Sequence, residues 1–164
     1  MSFYEEVVID YLKADRALFV NTNCCIQLNE SNNPDGSGPH WYCDAVTVDF
    51  RAKTIFLCEI SYSSSLGDLI KRLKAWHESW RLLCIALCRD SFLPSEWSVR
   101  PWLFVPETLL PLLLRRMGQA TSAGTPHFIP RITTLEMVQP WQYRSWHRIG
   151  ETEKPPAIPE EMQC

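Results

Sequence analysis

Two stretches rich in β-branched and aromatic residues, His40 to Val48 (HWYCDAVTV) and Thr54 to Tyr62 (TIFLCEISY), are joined by the short charged run DFRAK. Two such runs with so brief a connection predict a β-hairpin. This hairpin constrains the fold more than any other feature, because its register carries two acids. With the turn centred on Arg51 and Ala52, Asp44 falls opposite Glu59 on one face of the sheet. Directly opposed side chains stand about 4.5–5.5 Å apart at Cβ, where like charges repel. Their neighbours Trp41, Tyr42, Val46, Phe56, Leu57 and Ile60 are apolar or aromatic. Two acids in that setting need protonation, a basic partner or a cation. A bulge that shifts the register would instead separate them. A hard divalent ion resolves the conflict well, since Mg²⁺ is held by one or two carboxylates with waters and substrate phosphates.

The rest of the chain supplies elements around the hairpin. Residues 3–16 carry Tyr4, Val7, Val8, Tyr11 and Leu12 at helical spacing, and Ala17 to Leu28 reads as a strand. The run NESNNPDGSGP that follows is a polar loop. From Ser65 to Arg89 the period is helical again, with Leu66, Leu69, Ile70, Leu73, Trp76, Trp80, Leu83, Cys84 and Leu87 on one broad face. Trp102 to Val105 suits a short strand and Glu107 to Met117 a short helix, which Pro111 kinks unless the helix begins later. His127 to Met137 suits a last strand, confined by Pro130 to an edge or bulge. The order is helix, three strands, helix, strand, then further helix and strand. It predicts an α/β (α+β) fold with a mixed central sheet flanked by helices, as one domain over residues 1–149. Residues 150–164 read as a flexible tail.

Composition narrows the partners. That tail holds Glu151, Glu153, Glu160 and Glu161 against Lys154, which accounts for the whole formal charge of −3. The remainder is neutral on balance, which excludes a uniformly basic nucleic-acid coat but not a local basic patch. No apolar run reaches the roughly 20 residues that cross a bilayer, and the N-terminus MSFYEEVVIDYL has acids where a secretory signal carries bases. The expectation is a cytoplasmic protein with no membrane role. The odd count of seven Cys agrees with free thiols in a reducing compartment. Zinc is disfavoured, for the chain has no CxxC pair and scattered His.

Further charged residues gather near the pair in the helical projections. Glu5 borders the apolar stripe of the first helix, where it is either a third acid for the sheet or a favourable first-turn charge. In the second helix Lys74 and Arg81 lie on one border of the apolar face, Arg72 on the other and Lys71 further out. These bases either bind phosphate or form a solvated flank. Arg115, Arg116, Arg131, Arg144 and Arg148 extend the series, interleaved late in the chain with Trp141, Tyr143 and Trp146. That pattern suits stacking on unpaired bases and equally a protein interface.

The run Glu5, Val8, Tyr11, Leu12, with Asp44 in WYCDAVTVD and Glu59 in TIFLCEIS, resembles the PD-(D/E)XK nuclease superfamily, the restriction-endonuclease-like fold. The resemblance covers roughly residues 3–105 and implies a core of order αβββαβ. It implies that Glu5, Asp44 and Glu59 hold Mg²⁺ or Mn²⁺ for cutting phosphodiester bonds, in DNA more often than RNA. One departure stands out: the family's Lys two residues after the second acid is Ser61 here. The catalytic set implied is Asp44, Glu59 and Ser61, with Lys74 as a base supplied from the following helix and Lys71 or Arg72 behind it. Lys71, Arg72 and Arg81 are also assigned to nucleic-acid binding. The alternative is a domain that keeps the fold, has lost the chemistry and binds protein or nucleic acid; the seven Trp and the run LLPLLL favour a protein surface. Cutting both strands of a duplex would call for a second copy or a partner.

Overall fold

A computed structural model of the chain describes residues 2–28, 40–120 and 127–143. Its first element is helix α1 (Phe3–Ala14), which begins where Ser2 and Glu5 close a reciprocal cap. The Glu5 N–H donates to Ser2 Oγ at 3.3 Å, and the Ser2 N–H donates to Glu5 Oε2 at 2.9 Å. Two of the helix's orphan N–H groups are satisfied in this way. Val8, Ile9, Tyr11 and Leu12 are buried; Tyr4, expected in the stripe, remains exposed.

Strand β1 (Leu18–Gln27) pairs antiparallel with β2 (His40–Asp49), which turns through residues 50–53 into β3 (Thr54–Ile60). The turn forms because Asp49 Oδ1 accepts the N–H groups of Arg51 and Ala52, at 2.9 and 3.2 Å, while Lys53 adopts a positive φ of 50°. An Asp that bonds the backbone two residues on is a turn former by mechanism. Ala45 pairs with Cys58 and Asp49 with Thr54, as the sequence predicts.

The long helix expected from Ser65 to Arg89 is two helices, α2 (Gly67–Glu78) and α3 (Trp80–Ser91). They part at Ser79, whose ψ of 21° departs from helical values, although its N–H still reaches Ala75 O. Neither Gly nor Pro marks the spot. Strand β4 (Ser98–Val105) begins earlier than expected and runs parallel to β3. A 3₁₀ turn (Glu107–Leu109) leads into α4 (Leu110–Ala120), so Pro111 lies in the first turn, where its missing N–H is harmless. Strand β5 (Arg131–Thr134) is shorter than predicted, starts after Pro130, and pairs parallel with β4 at the sheet's edge. The polar run at 29–39, the Trp41 side chain, Arg144, Trp146, Arg148 and the tail lie outside the described residues.

The result is an α+β fold, a five-stranded mixed sheet in the order β1-β2-β3-β4-β5 with helices on both faces. Alternation along the strands builds two cores. Ile55, Leu57, Leu103 and Ile132 face α2, α3 and α4, meeting Leu69, Leu73, Trp76, Leu83 and Leu113. Phe56, Cys58, Trp102 and Phe104 face α1, meeting Val8, Tyr11 and Leu12. Each fully buried Leu or Phe contributes on the order of 1.5–3 kcal/mol. Among the described residues no helix is long and apolar enough to cross a membrane.

Arg51 ties the hairpin turn to the end of α1. Its guanidinium donates to Asp15 Oδ2 at 2.8 Å and to Asp49 Oδ1 at 3.2 Å, and both acids are nearly buried. Arg51→Ala leaves two neighbouring carboxylates without their shared cation, and we expect a loss of about 2 kcal/mol, the scale of a charged hydrogen bond. Arg51→Lys should recover only part of it, since one ammonium does not reproduce the fork. Urea midpoints of the two variants check both expectations.

Candidate active site

Strands β2 and β3 stop pairing at Ala45 and Cys58, although both continue. Beyond that point β2 stays with β1 as far as the Gln27–His40 pair, and β3 stays with β4 as far as Ile60 and Phe104. The sheet therefore splits at the next level, which is occupied by Asp44 and Glu59. The Asp44 side chain bridges the opening: its Oδ2 accepts the Ile60 N–H at 2.7 Å, replacing a main-chain acceptor. Asn23, which the register sets across from Asp44 on β1, has a φ of 51°. Asn tolerates that left-handed conformation better than most residues, so the strand bends there at low cost.

Glu59 follows Ile55 and Leu57 on the face covered by α2, and it is nearly buried. Arg72, from the second turn of α2, places Nη1 2.5 Å from Glu59 Oε2. The other oxygen, Oε1, is buried and accepts no hydrogen bond of ordinary geometry; among the described residues no other buried acid oxygen is in that state. Burial and the neighbouring charge of Asp44 push the Glu59 carboxyl up to about 8, while Arg72 and the backbone N–H of Asp44 pull it down. Asp44 is half-buried and also raised, chiefly by burial, with Ile60 N–H and Arg72 opposing and Glu5 adding. Cys43, buried beside the pair, is held far above its ordinary value by burial first and Glu59 second.

The structure sorts the predicted residues. Asp44 and Glu59 come together. Glu5 acts on Asp44 through its charge, but its carboxylate is engaged in the helix cap, the first-turn role left open above. Among the described residues no three acidic, His or Cys side chains are arranged to hold one ion, so the implied three-acid set reduces to the strand pair. Lys74 and Lys71 are exposed, and Lys71 is paired only with Asp68 at 3.7 Å. Lys74 makes no ion pair among the described residues, and the basic side chain beside Glu59 is Arg72, expected both behind Lys74 as a base and as a contact to nucleic acid. Arg81 is exposed on α3, and Ser61 is half-buried with its N–H given to Phe104 O. Arg131 does not extend a phosphate path from this site, because it lies over Trp102, 4.2 Å from the ring, on the α1 face. Tyr143 packs edge-on against Tyr11.

A second feature escaped the sequence reading. The Tyr4 and Tyr62 rings meet just beyond the end of β3, centroids 4.8 Å apart and tilted by 37°, both partly exposed. Nothing in their spacing signals the contact.

Two oxygens remain available to an ion, Glu59 Oε1 and the Asp44 oxygen not bonded to Ile60. A Mg²⁺ or Mn²⁺ held by two carboxylates and completed by water fits such a pair. Compared with protein-family models, curated proteins and solved structures, the chain matches none.

Because folding raises the Glu59 pKa above its ordinary 4.5, the native state binds the extra proton. The stability it confers is complete below 4.5 and is lost as pH rises through about 8. Over this window the wild type should lose stability relative to Glu59→Gln, with a slope of at most about 1.4 kcal/mol per pH unit. Denaturation profiles of both proteins between these limits check it; parallel profiles count against a raised carboxyl.

Proposed function

We propose that the chain is a metal-dependent nuclease, hydrolysing phosphodiester bonds in DNA or RNA on a restriction-endonuclease-like core. The observation that carries this reading is the buried, unbonded Oε1 of Glu59 beside Asp44 at the split in the sheet. An ion pair serving structure alone gains by satisfying both carboxylate oxygens, whereas an oxygen left bare at an opening suits a ligand. The order α1, three strands, helical pair and β4 agrees with the core that the sequence resembles.

When bound, Mg²⁺ or Mn²⁺ polarises the phosphodiester and lowers the pKa of the attacking water. Asp44 and Glu59 orient that ion. Arg72 supplies the cation that Ser61 does not, stabilising charge as it develops on the phosphoryl oxygens. Lys71, Lys74 and Arg81 are exposed bases that fit contacts to the nucleic-acid backbone. A cytoplasmic setting agrees with six described cysteines that are all free thiols.

A second reading is a nuclease fold without turnover that binds protein, either a partner or another copy of the chain. Exposed Leu82, Ile85 and Phe92 along α3 favour it.

Cleavage of labelled single- and double-stranded DNA and RNA with Mg²⁺ or Mn²⁺ decides between the two. We expect Asp44→Asn and Glu59→Gln to lower kcat by about 10³-fold, equivalent to roughly 4 kcal/mol of barrier. Arg72→Ala should cost about 10²-fold, and Lys74→Ala about twofold or less, as expected of one exposed backbone contact. Millimolar Mn²⁺ should also raise the melting temperature of the wild type by mass action, and not that of Asp44→Asn. Cleavage that survives both acid variants, or no cleavage of any substrate, overturns the nuclease reading.

A further inference from the structure

Arg72 and a divalent ion compete for one carboxylate. In the free protein the guanidinium neutralises Glu59 directly and lowers the Asp44 carboxyl through its charge. An ion seated on Glu59 Oε1 and Asp44 would bring two more positive charges beside that guanidinium, and repulsion in a half-buried site is screened little. The two partners differ in freedom. The Glu59 side chain is 5% exposed and fixed between strands, whereas Arg72 is 36% exposed on a long stem at the surface of α2. Arg72 is therefore the group that yields. Its planar fork matches a phosphate as well as a carboxylate, so a phosphodiester at the opening offers it an equivalent partner.

We propose that Arg72 is a displaceable counter-ion: it closes the Asp44–Glu59 pair in the free protein and passes to the substrate's phosphodiester when the divalent ion enters. This rests on the nuclease reading and adds regulation to it. Metal and substrate then promote each other's binding, because each removes what excludes the other. In the absence of substrate the same arrangement keeps the ion weakly held, which limits stray hydrolysis.

Isothermal titration of Mn²⁺ into the full chain at neutral pH tests it without turnover. Arg72→Gln should tighten the Mn²⁺ Kd by about fivefold or more, the lower range of allosteric couplings. Arg72→Lys should fall between, and it serves as the folded control should Arg72→Gln show a reduced urea midpoint. Glu59→Gln should erase the difference between Arg72 and Gln at this position. A phosphorothioate dinucleotide, as an uncleaved phosphodiester, should tighten Mn²⁺ binding to the wild type and not to Arg72→Gln. Equal or weaker Mn²⁺ binding by Arg72→Gln overturns the counter-ion role while leaving the nuclease reading intact. No Mn²⁺ binding by wild type or variant overturns both.

Discussion

Like charges on neighbouring strands govern this structure. Glu59 is confined between the sheet and α2, and Asp44 is half-buried one strand away. Each makes the other harder to ionise. The chain meets that conflict in three ways at once. Asp44 takes the Ile60 N–H, Arg72 reaches in from α2 to Glu59, and Glu59 accepts a raised pKa. The hairpin register leaves no freedom to move the acids apart. A one-residue slip would turn Val46, Leu57 and Ile55 out of the core along with them.

The split in the sheet is the geometric counterpart of this electrostatic problem. Strands stay paired where their facing residues pack, from Ala45 opposite Cys58 to Asp49 opposite Thr54. They part where the facing residues are two acids. Each half keeps a complete partner on its far side, β1 for β2 and β4 for β3, so few backbone hydrogen bonds are lost. The opening thus costs little.

Much of this was legible in the sequence, for identifiable reasons. The hairpin and its register follow from two β-rich runs and an Asp-led turn, all local. The five strands and the α1 face follow from periodicity. The break at Ser79 was not legible, since a run of apolar residues keeps helical phase across a one-residue kink, and Ser79 is no breaker. Which of Arg72 and Lys74 reaches Glu59 was also out of reach. Both border the same apolar face, and which border meets β3 is set by how α2 crosses the sheet, a tertiary property. Glu5 is different: Ser2 followed three residues on by Glu is a capping box, and that signal stood in the sequence unused.

The persistence of a charged pair at this place bears on what the fold is for. A buried ion pair is weak grounds for stability, because apolar replacements of similar volume are often as stable or more so. Position 59 pairs with Leu103 on β4 and follows Leu57 on the face of the same apolar core. The molecule instead spends stability there, leaving one carboxylate oxygen buried and unbonded at a cost of about 1–3 kcal/mol. The α1 cap, the Asp49 turn and the Trp102–Thr133 hydrogen bond satisfy their polar groups, whereas Trp76 Nε1, His77 Nδ1 and Thr134 Oγ1 are, like Glu59 Oε1, buried without a hydrogen bond. Among the described residues Glu59 Oε1 is the one carboxylate oxygen in that state, and it lies at the split in the sheet, where a broken local rule points to function more readily than to folding. Glu59, raised by Asp44 and lowered by a partly exposed Arg72 and by the Asp44 N–H, is the carboxylate at which we propose that partners exchange.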